Sequence, residues 1–234
     1  MTIASQEQGP LADYPDLGDK AYELLKADIH ARRLAPGSRL STVGLAQRLG
    51  ISRTPIKVAL SRLAVEGFVE DVARKGYFVA RLDAETIAEL LSARLLLEVA
   101  AVEGTHGTMA EADLEIMQQL VAEMDQFVDE QGRYRDAVEF SKRDLAFHLT
   151  IVGAAKNRIL VDTYRTCYFR LYPAGEGVAT EASVRRGGIV QRLHKSILES
   201  WRARDVSAIK EALAKHMHQT REWRLATASS PLSE

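Results

Sequence analysis

The stretch LAPGSRLSTVGLAQRLGISRTPIKVALSRLAVEGFVEDVARKGYFV, residues 34–79, decides the fold. Pro36-Gly37 ends a helical pattern that precedes it. Ser41 or Thr42 stands where a cap is needed for a short helix over Val43 to Leu49. Gly50 supplies the turn, because a residue without a side chain adopts positive φ at little cost. Ser52 then takes the N-cap of the next helix. Its hydroxyl is placed to accept from first-turn amides, and Pro55 falls where a missing N–H costs nothing. That helix runs to about Glu66 and stops at Gly67, with Ile56, Ala59, Leu60, Leu63 and Ala64 on its apolar face. Phe68-Val69-Glu70 and Tyr77–Ala80 read as short strands around a basic tip, Arg74-Lys75-Gly76. Two short helices across a tight turn, then a hairpin with a basic tip, is the order of parts of a winged helix-turn-helix.

Working outward, residues 1–17 are polar, carry Pro10 and Pro15, and read as a flexible tail. From Gly18 to Arg33 apolar residues recur at helical spacing. Beyond Asp83 the pattern is almost wholly helical. Helices are predicted over Ala84–His106, Ala110–Gln131, Arg133–Ala154, Arg158–Tyr172, Glu181–Arg204 and Val206–Ala226, with a loop at Pro173–Gly177. The fold class is therefore mainly α: a winged helix-turn-helix at residues 18–82 and an all-α helical bundle at residues 83–228.

The formal net charge of the 234 residues is -1, which alone argues against a nucleic-acid partner. Its distribution argues the other way. From Gly18 to Leu82 there are 12 Lys/Arg against 6 Asp/Glu, whereas residues 1–17 hold three acids and no base. A phosphate backbone responds to that local surplus. One cysteine, Cys167, excludes an internal disulfide framework and fits a reducing compartment. No apolar run approaches membrane-spanning length, so a cytoplasmic protein without a membrane partner is expected.

A recognition helix reads the major groove from its N-terminal residues. Arg53, Thr54 and Lys57 occupy that end. Ser52 can combine capping with a phosphate contact, Arg62 further along suits the backbone, and Arg74, Lys75 and Gly76 suit the minor groove or its phosphates. In the bundle, Asp144 and His148 are four apart on one helix face. His194 lies about ten residues before the break at Arg204-Asp205, and His216 about eleven after it. If those helices fold back, the two imidazoles return to one level. Asp144, His148, His194 and His216 can then meet at one point. Three imidazoles and a carboxylate suit a divalent transition metal, zinc first, with nickel and manganese as the other candidates. His30, His106 and His218 have no companion ligands. Tyr164, Tyr168, Phe169 and Tyr172 recur at helical spacing, as core or dimer packing does.

At these residues the chain resembles the GntR family of bacterial transcription regulators. LxPGxxL spans Leu34–Leu40, LAxxLGxSRTPxxxALxRLxxEGxV spans Leu45–Val69, and the wing follows at Arg74–Val79. The remainder resembles the FCD domain of the FadR-like subfamily, and its six predicted helices resemble the VanR-like branch. AELLSARLLLEVAAVEG, Ala88–Gly104, is similar to its first helix, and DLAFH with the later histidines to its metal residues. The resemblance implies a homodimer bound to an inverted-repeat operator in double-stranded DNA, a repressor's or activator's role, and a small organic acid effector near the metal. It also places an effector-contacting arginine at Arg94, for which pairing with Glu98 on the same helix is the competing reading. Lys57-Val58 and Thr42-Val43 depart from the usual Arg-Glu and Glu-containing pairs, which alters what the helix reads. A metal-dependent hydrolase with an accessory basic domain is the alternative from another class, but no general base such as the Glu of HExxH accompanies the cluster. The third reading is the same regulator with a purely structural metal.

Overall fold

The computed structural model describes residues 16–172 and 186–228. The tail before Asp16, the loop at 173–177 and the first residues of the helix expected from Glu181 fall outside them. Contacts divide the chain into two compact units, with the boundary after Arg81.

The first unit opens with α1, Leu17–His30, capped by Asp16, whose carboxylate accepts from the Gly18 and Asp19 amides. Asp16 and Leu17, expected in the tail, therefore belong to the cap and first turn of α1. After β1, Arg39–Leu40, Ser41 caps α2, Thr42–Leu49, and Gly50 closes it at φ 69°. Helix α3 is Arg53–Val65. β2, Val69–Val72, and β3, Gly76–Val79, form the hairpin. β1 pairs with β3, in the register Arg39↔Phe78 and Leu40↔Tyr77, giving the sheet order β1-β3-β2. The sequence reading had no β1, because two residues carry no alternation of their own. Ile56, Ala59, Leu60 and Leu63 of α3 are fully buried, with Leu25 of α1 and Val79 of the sheet. Tyr22, Lys26 and Glu66 bind α1 to the end of α3: the tyrosine hydroxyl donates to Glu66 at 2.7 Å and Lys26 to Glu66 at 2.7 Å.

The second unit has six helices among the described residues. They are α4 (Ala84–Gly104), α5 (Glu111–Gln126), α6 (Ala137–Ala154), α7 (Arg158–Leu171), α8 (Gly187–Ala203) and α9 (Val206–Ala228). α4 packs on α6, α7 and α9, α5 on α6 and α8, and α8 on α9. Met117, Met124, Phe147, Ile151, Trp201 and Leu213 fill the space between them. Arg204 turns α8 into α9 at φ 55°, and Asp205 caps α9 through the Ala208 amide at 3.0 Å. The predicted helical hairpin therefore forms.

One prediction fails. Residues 127–136 are not the ends of two helices but a folded loop. Asp129 accepts from the Gln131 and Arg133 amides, Gly132 takes φ 76°, and Val128 bridges Tyr134. Asp136 then caps α6 through the Glu139 amide at 2.9 Å. An acid that satisfies two loop amides competes with helix continuation, as aspartate does in turns. The loop lies against the start of α8, where a Cβ on Gly188 would stand 3.0 Å from Gly132 Cα.

Candidate functional site

In the first unit the basic side chains separate into two groups. Lys26 is tied to Glu66, Arg33 and Arg48 both reach Asp28, and Arg62 pairs with Asp19. Arg53, Lys57, Arg74 and Lys75 are exposed and enter no ion pair. Arg53 and Lys57 are one turn apart at the start of α3. Arg62 lies nine residues from Arg53, about 2.5 turns on, and so on the other side of the helix. Its guanidinium also lies over the Tyr22 ring at 4.1 Å. Arg62 thus stands with Asp19 and Tyr22, away from Arg53 and Lys57.

Ser52 holds the N-cap position but makes no cap bond. An N-cap side chain bonds the amide of the second or third helical residue. The third here is Pro55, which has no N–H, so the predicted double role reduces to an exposed hydroxyl at a helix N-terminus. At the wing tip the Lys75 amide donates to Val72 O at 2.9 Å, with Arg74 at φ 64° and Gly76 at φ 94°. A Cβ on Gly76 would meet nothing within 4 Å, so this glycine answers a backbone requirement rather than a crowded one. Ser61 Oγ lies 3.3 Å from Tyr77 Oη, linking the solvent side of α3 to the wing.

In the second unit three helices bring the four predicted ligands together. α6 supplies Asp144 and His148, α8 His194 and α9 His216, with one ligand atom from each within 4.8 Å of all the others. His194 Nε2 lies 3.0 Å from Asp144 Oδ1, and His148 Nε2 3.1 Å from His216 Nε2. All three imidazoles are buried. Although His194 Nε2 is within 3.0 Å of a carboxylate oxygen, the direction is wrong for an N–H bond, and it stands without a hydrogen-bond partner, as do Nδ1 of His194 and His216. Buried nitrogens of this kind are costly unless something else fills their lone pairs. Atoms bound to one zinc at about 2.1 Å lie about 3.4 Å apart in a tetrahedron and no more than about 4.2 Å apart in any geometry, so the cluster, spread over 4.8 Å, has to close by roughly 0.6 Å or more around an ion. The donor set and its orphaned nitrogens therefore fit such an ion.

Electrostatics keep the set ready for a cation. Burial opposes ionisation of Asp144, yet His194 beside it, with His148 and His216 around it, holds its carboxyl well below the usual range. Burial pushes His216 and His194 below the ordinary imidazole value, and so keeps them neutral. Tyr168 donates to Asp144 Oδ2 at 3.0 Å and to Ser141 O at 2.9 Å, leaving Oδ1 to face the histidines.

Two predictions about the surroundings change. Arg94 is fully buried and does not reach the cavity beside the cluster. Its Nε donates to Tyr164 Oη at 3.0 Å, its Nη1 to Tyr172 Oη at 3.2 Å, and its Nη2 lies 3.8 Å from Glu98. Of the two readings left open, the contact with Glu98 is the one the geometry supports. Tyr164, Tyr168 and Tyr172 ring this guanidinium rather than serving only as packing.

The cavity measures about 550 Å³ including its open mouth. Asp144 and His216 form part of its wall, with Tyr134, Arg186, Thr220 and Arg224 around them; His148 and His194 lie behind. The sequence reading missed both arginines. Arg224 left a signal, since His216, Thr220 and Arg224 recur every fourth residue on one face of α9, and all three are buried. Arg186 left none, being a residue before α8 that only the fold brings to the cavity.

The comparisons with known proteins agree with both halves. The model of the bacterial regulatory proteins of the gntR family matches residues 17–79, and that of the FCD domain matches residues 89–219. The chain belongs to the GntR family, as a winged-helix regulator carrying an FCD domain rather than an enzyme. It is 35% identical over 136 residues to the Nta operon transcriptional regulator of Aminobacter aminovorans, covering 58% of this chain and 62% of that protein's length. It is 33% identical over 134 residues to the gluconate operon transcriptional repressor of Bacillus subtilis, covering 57% of this chain and 53% of that one. Among solved structures, Escherichia coli McbR/YncC shares the fold at TM-score 0.72 and 23% identity, covering 92% of this chain and 99% of that one. No described helix is long and apolar enough to cross a membrane.

Proposed function

We propose that this protein is a cytoplasmic repressor that binds an inverted-repeat operator as a homodimer and releases or tightens it when a small carboxylate enters the metal-containing unit. One observation carries the DNA half: Arg53 and Lys57 at the start of α3 and Arg74 and Lys75 at the wing tip are exposed and enter no ion pair, as also holds for Arg39 and Arg81, whereas Lys26, Arg33, Arg48 and Arg62 are paired within the unit. Arg53, Thr54 and Lys57 enter the major groove at the start of α3. Ser52 offers its unused hydroxyl to a phosphate, and Arg74 and Lys75 reach the minor groove or its phosphates across the Gly76 turn. Two copies on a two-fold axis match an inverted repeat.

In the helical unit, Asp144, His148, His194 and His216 hold a divalent metal, with zinc first and nickel or manganese as the other ions this donor set accepts. The ion supplies a Lewis-acidic centre for an oxygen ligand. Arg186 and Arg224 replace Arg94 as the groups that receive the carboxylate, since both line the cavity with Asp144 and His216. An effector moves the DNA equilibrium only by its difference in affinity for the two states.

The test is genome-wide recovery of bound sites with the full chain, followed by anisotropy titration on the recovered operator. The titrations use protein loaded with zinc, nickel or manganese, with and without a panel of mono-, di- and hydroxycarboxylates. Inverted repeats and a carboxylate that changes operator affinity at least tenfold support the reading. A metal whose removal unfolds the unit, with no carboxylate acting, favours a purely structural ion.

A further inference from the structure

His148 is the ligand of the cluster whose outer nitrogen has a protein partner: its Nδ1 lies 3.0 Å from Glu98 Oε2. Nδ1 of His194 and of His216 has none. We propose that Glu98 is a positioning residue for the metal centre, holding His148 in the Nδ1–H form so that its Nε2 lone pair faces Asp144, His194 and His216, with Arg94 beside it as counter-charge. The inference rests on reading the four-residue cluster as a metal site.

The chemistry follows from the partners. A carboxylate oxygen that accepts from Nδ1–H leaves Nε2 bare. Both side chains are fully buried, so no water competes for that bond. A carboxylate in such a place needs a counter-charge, and Arg94 Nη2 stands 3.8 Å from Glu98 Oε1. Arg94 is fixed in turn by Tyr164 and Tyr172. Tyr168 does the same for the acid ligand by donating to Asp144 Oδ2, so the outer contacts fix one ligand as a donor and another as an acceptor.

Their place on α4 is informative as well. Ile87, Leu91, Arg94, Glu98 and Ala101 share the buried stripe of this helix. A surface ion pair would sit on the opposite face. Arg94 and Glu98 therefore occupy core positions in which charge has to be held by something specific.

The experiment compares the full-length wild type with E98Q, E98A and R94M/E98A. Zinc affinity is read by competition with a chromophoric chelator, and the His148 tautomer by nitrogen-15 NMR of the metal-free protein. Glutamine still accepts from Nδ1–H, so E98Q should keep the tautomer and lose less than about tenfold in affinity. E98A should lose about 10- to 100-fold, the usual cost of removing such a partner, and let the tautomer redistribute. R94M/E98A removes both charges at once and serves where E98A leaves Arg94 uncompensated and unfolds; it should show the same loss with a native circular-dichroism spectrum. Unchanged zinc affinity and tautomer in E98A, or in R94M/E98A, overturn the proposal. A wild type that binds no zinc, nickel or manganese overturns the metal reading instead, and the metal-free tautomer then still decides whether Glu98 orients His148.

Discussion

Arg53, Lys57, Arg74 and Lys75 in the N-terminal unit stand exposed and unpaired, whereas Glu98, Asp144, His148, His194 and His216 in the C-terminal unit are buried against one another. The difference reflects the partner each unit serves. A polyanion brings its own counter-charge, so the cations that meet it need only be free and mobile, and their strength is set by salt. A small ligand or ion supplies too little surface to organise a site. The protein therefore fixes the groups beforehand, in a low-dielectric interior where each contact is strong and each unfilled lone pair costly. The comparison can be broken at either end.

The largest effect belongs to the open face. R53A/K57A removes two groups each worth about 1–3 kcal/mol at base edges or phosphates, so specific operator affinity should fall by about 30-fold or more. Zinc affinity of the other unit should stay unchanged. Undiminished operator binding would sink the placement of α3. Next is the enclosed site. Replacing Arg186 and Arg224 by Gln should weaken the active carboxylate by about tenfold or more, since each charge-assisted bond contributes about 1.5–3 kcal/mol. R94M, by contrast, should act on metal affinity rather than on carboxylate affinity at saturating metal. Calorimetry on the three variants separates these outcomes, and carboxylate loss in R94M alone would restore Arg94 as the effector contact.

A smaller effect tests whether burial of a titrating group is confined to the second unit. His30 packs on Phe68 at a centroid distance of 5.5 Å, and burial, with Lys26 nearby, lowers it from 6.5 to about 4. Its folded value lies below the unfolded one, so the unfolded chain binds the extra proton between those limits. Stability is then complete above about pH 6.5 and is lost as the pH falls towards 4. The group is partly open to solvent, so the loss is on the order of 1 kcal/mol. H30F should flatten that limb of the N-terminal unit's melting. Both tryptophans, Trp201 and Trp223, belong to the other unit, so their fluorescence gives an internal reference. An acid limb unchanged in H30F would remove His30 from the account.

Much of the first unit is legible because its signals are local. Ser41, Gly50, Pro55 and Gly67 cap and break helices within a few residues of themselves, and Ile56, Ala59, Leu60 and Leu63 mark a face by spacing alone. β1 escapes because its evidence is a pairing with β3 almost 40 residues on. The four candidate ligands are legible because two lie one turn apart on α6 and two return to one level across the hairpin at Arg204. What surrounds them is not. Glu98 meets His148 across 50 residues, and Tyr168 meets Asp144 across 24. Such contacts come from helix packing, which no spacing rule reports. Arg94 is fully buried on the inward stripe of α4, a placement that its side-chain type did not report.

Arg62 gives the smallest expected effect and the sharpest contrast, because it is basic, exposed in part, and on the same helix as Arg53 and Lys57. Its charge is matched by Asp19 and its plane by the Tyr22 ring. Releasing it to a phosphate would mean breaking both contacts, and it faces the other way from the start of the helix. R62A should therefore change operator affinity by less than about threefold and leave the slope of log K against log salt as it was. R74A and K75A should each reduce that slope by about one. The loss from R62A should appear instead as stability, under about 1 kcal/mol for a solvent-exposed pair with a modest cation–π contribution. Urea unfolding and salt-dependent anisotropy on the same three variants measure both quantities. A slope that falls in R62A as it does in R74A would return Arg62 to the DNA face and show that pairing within the unit does not withhold a cation from the phosphates.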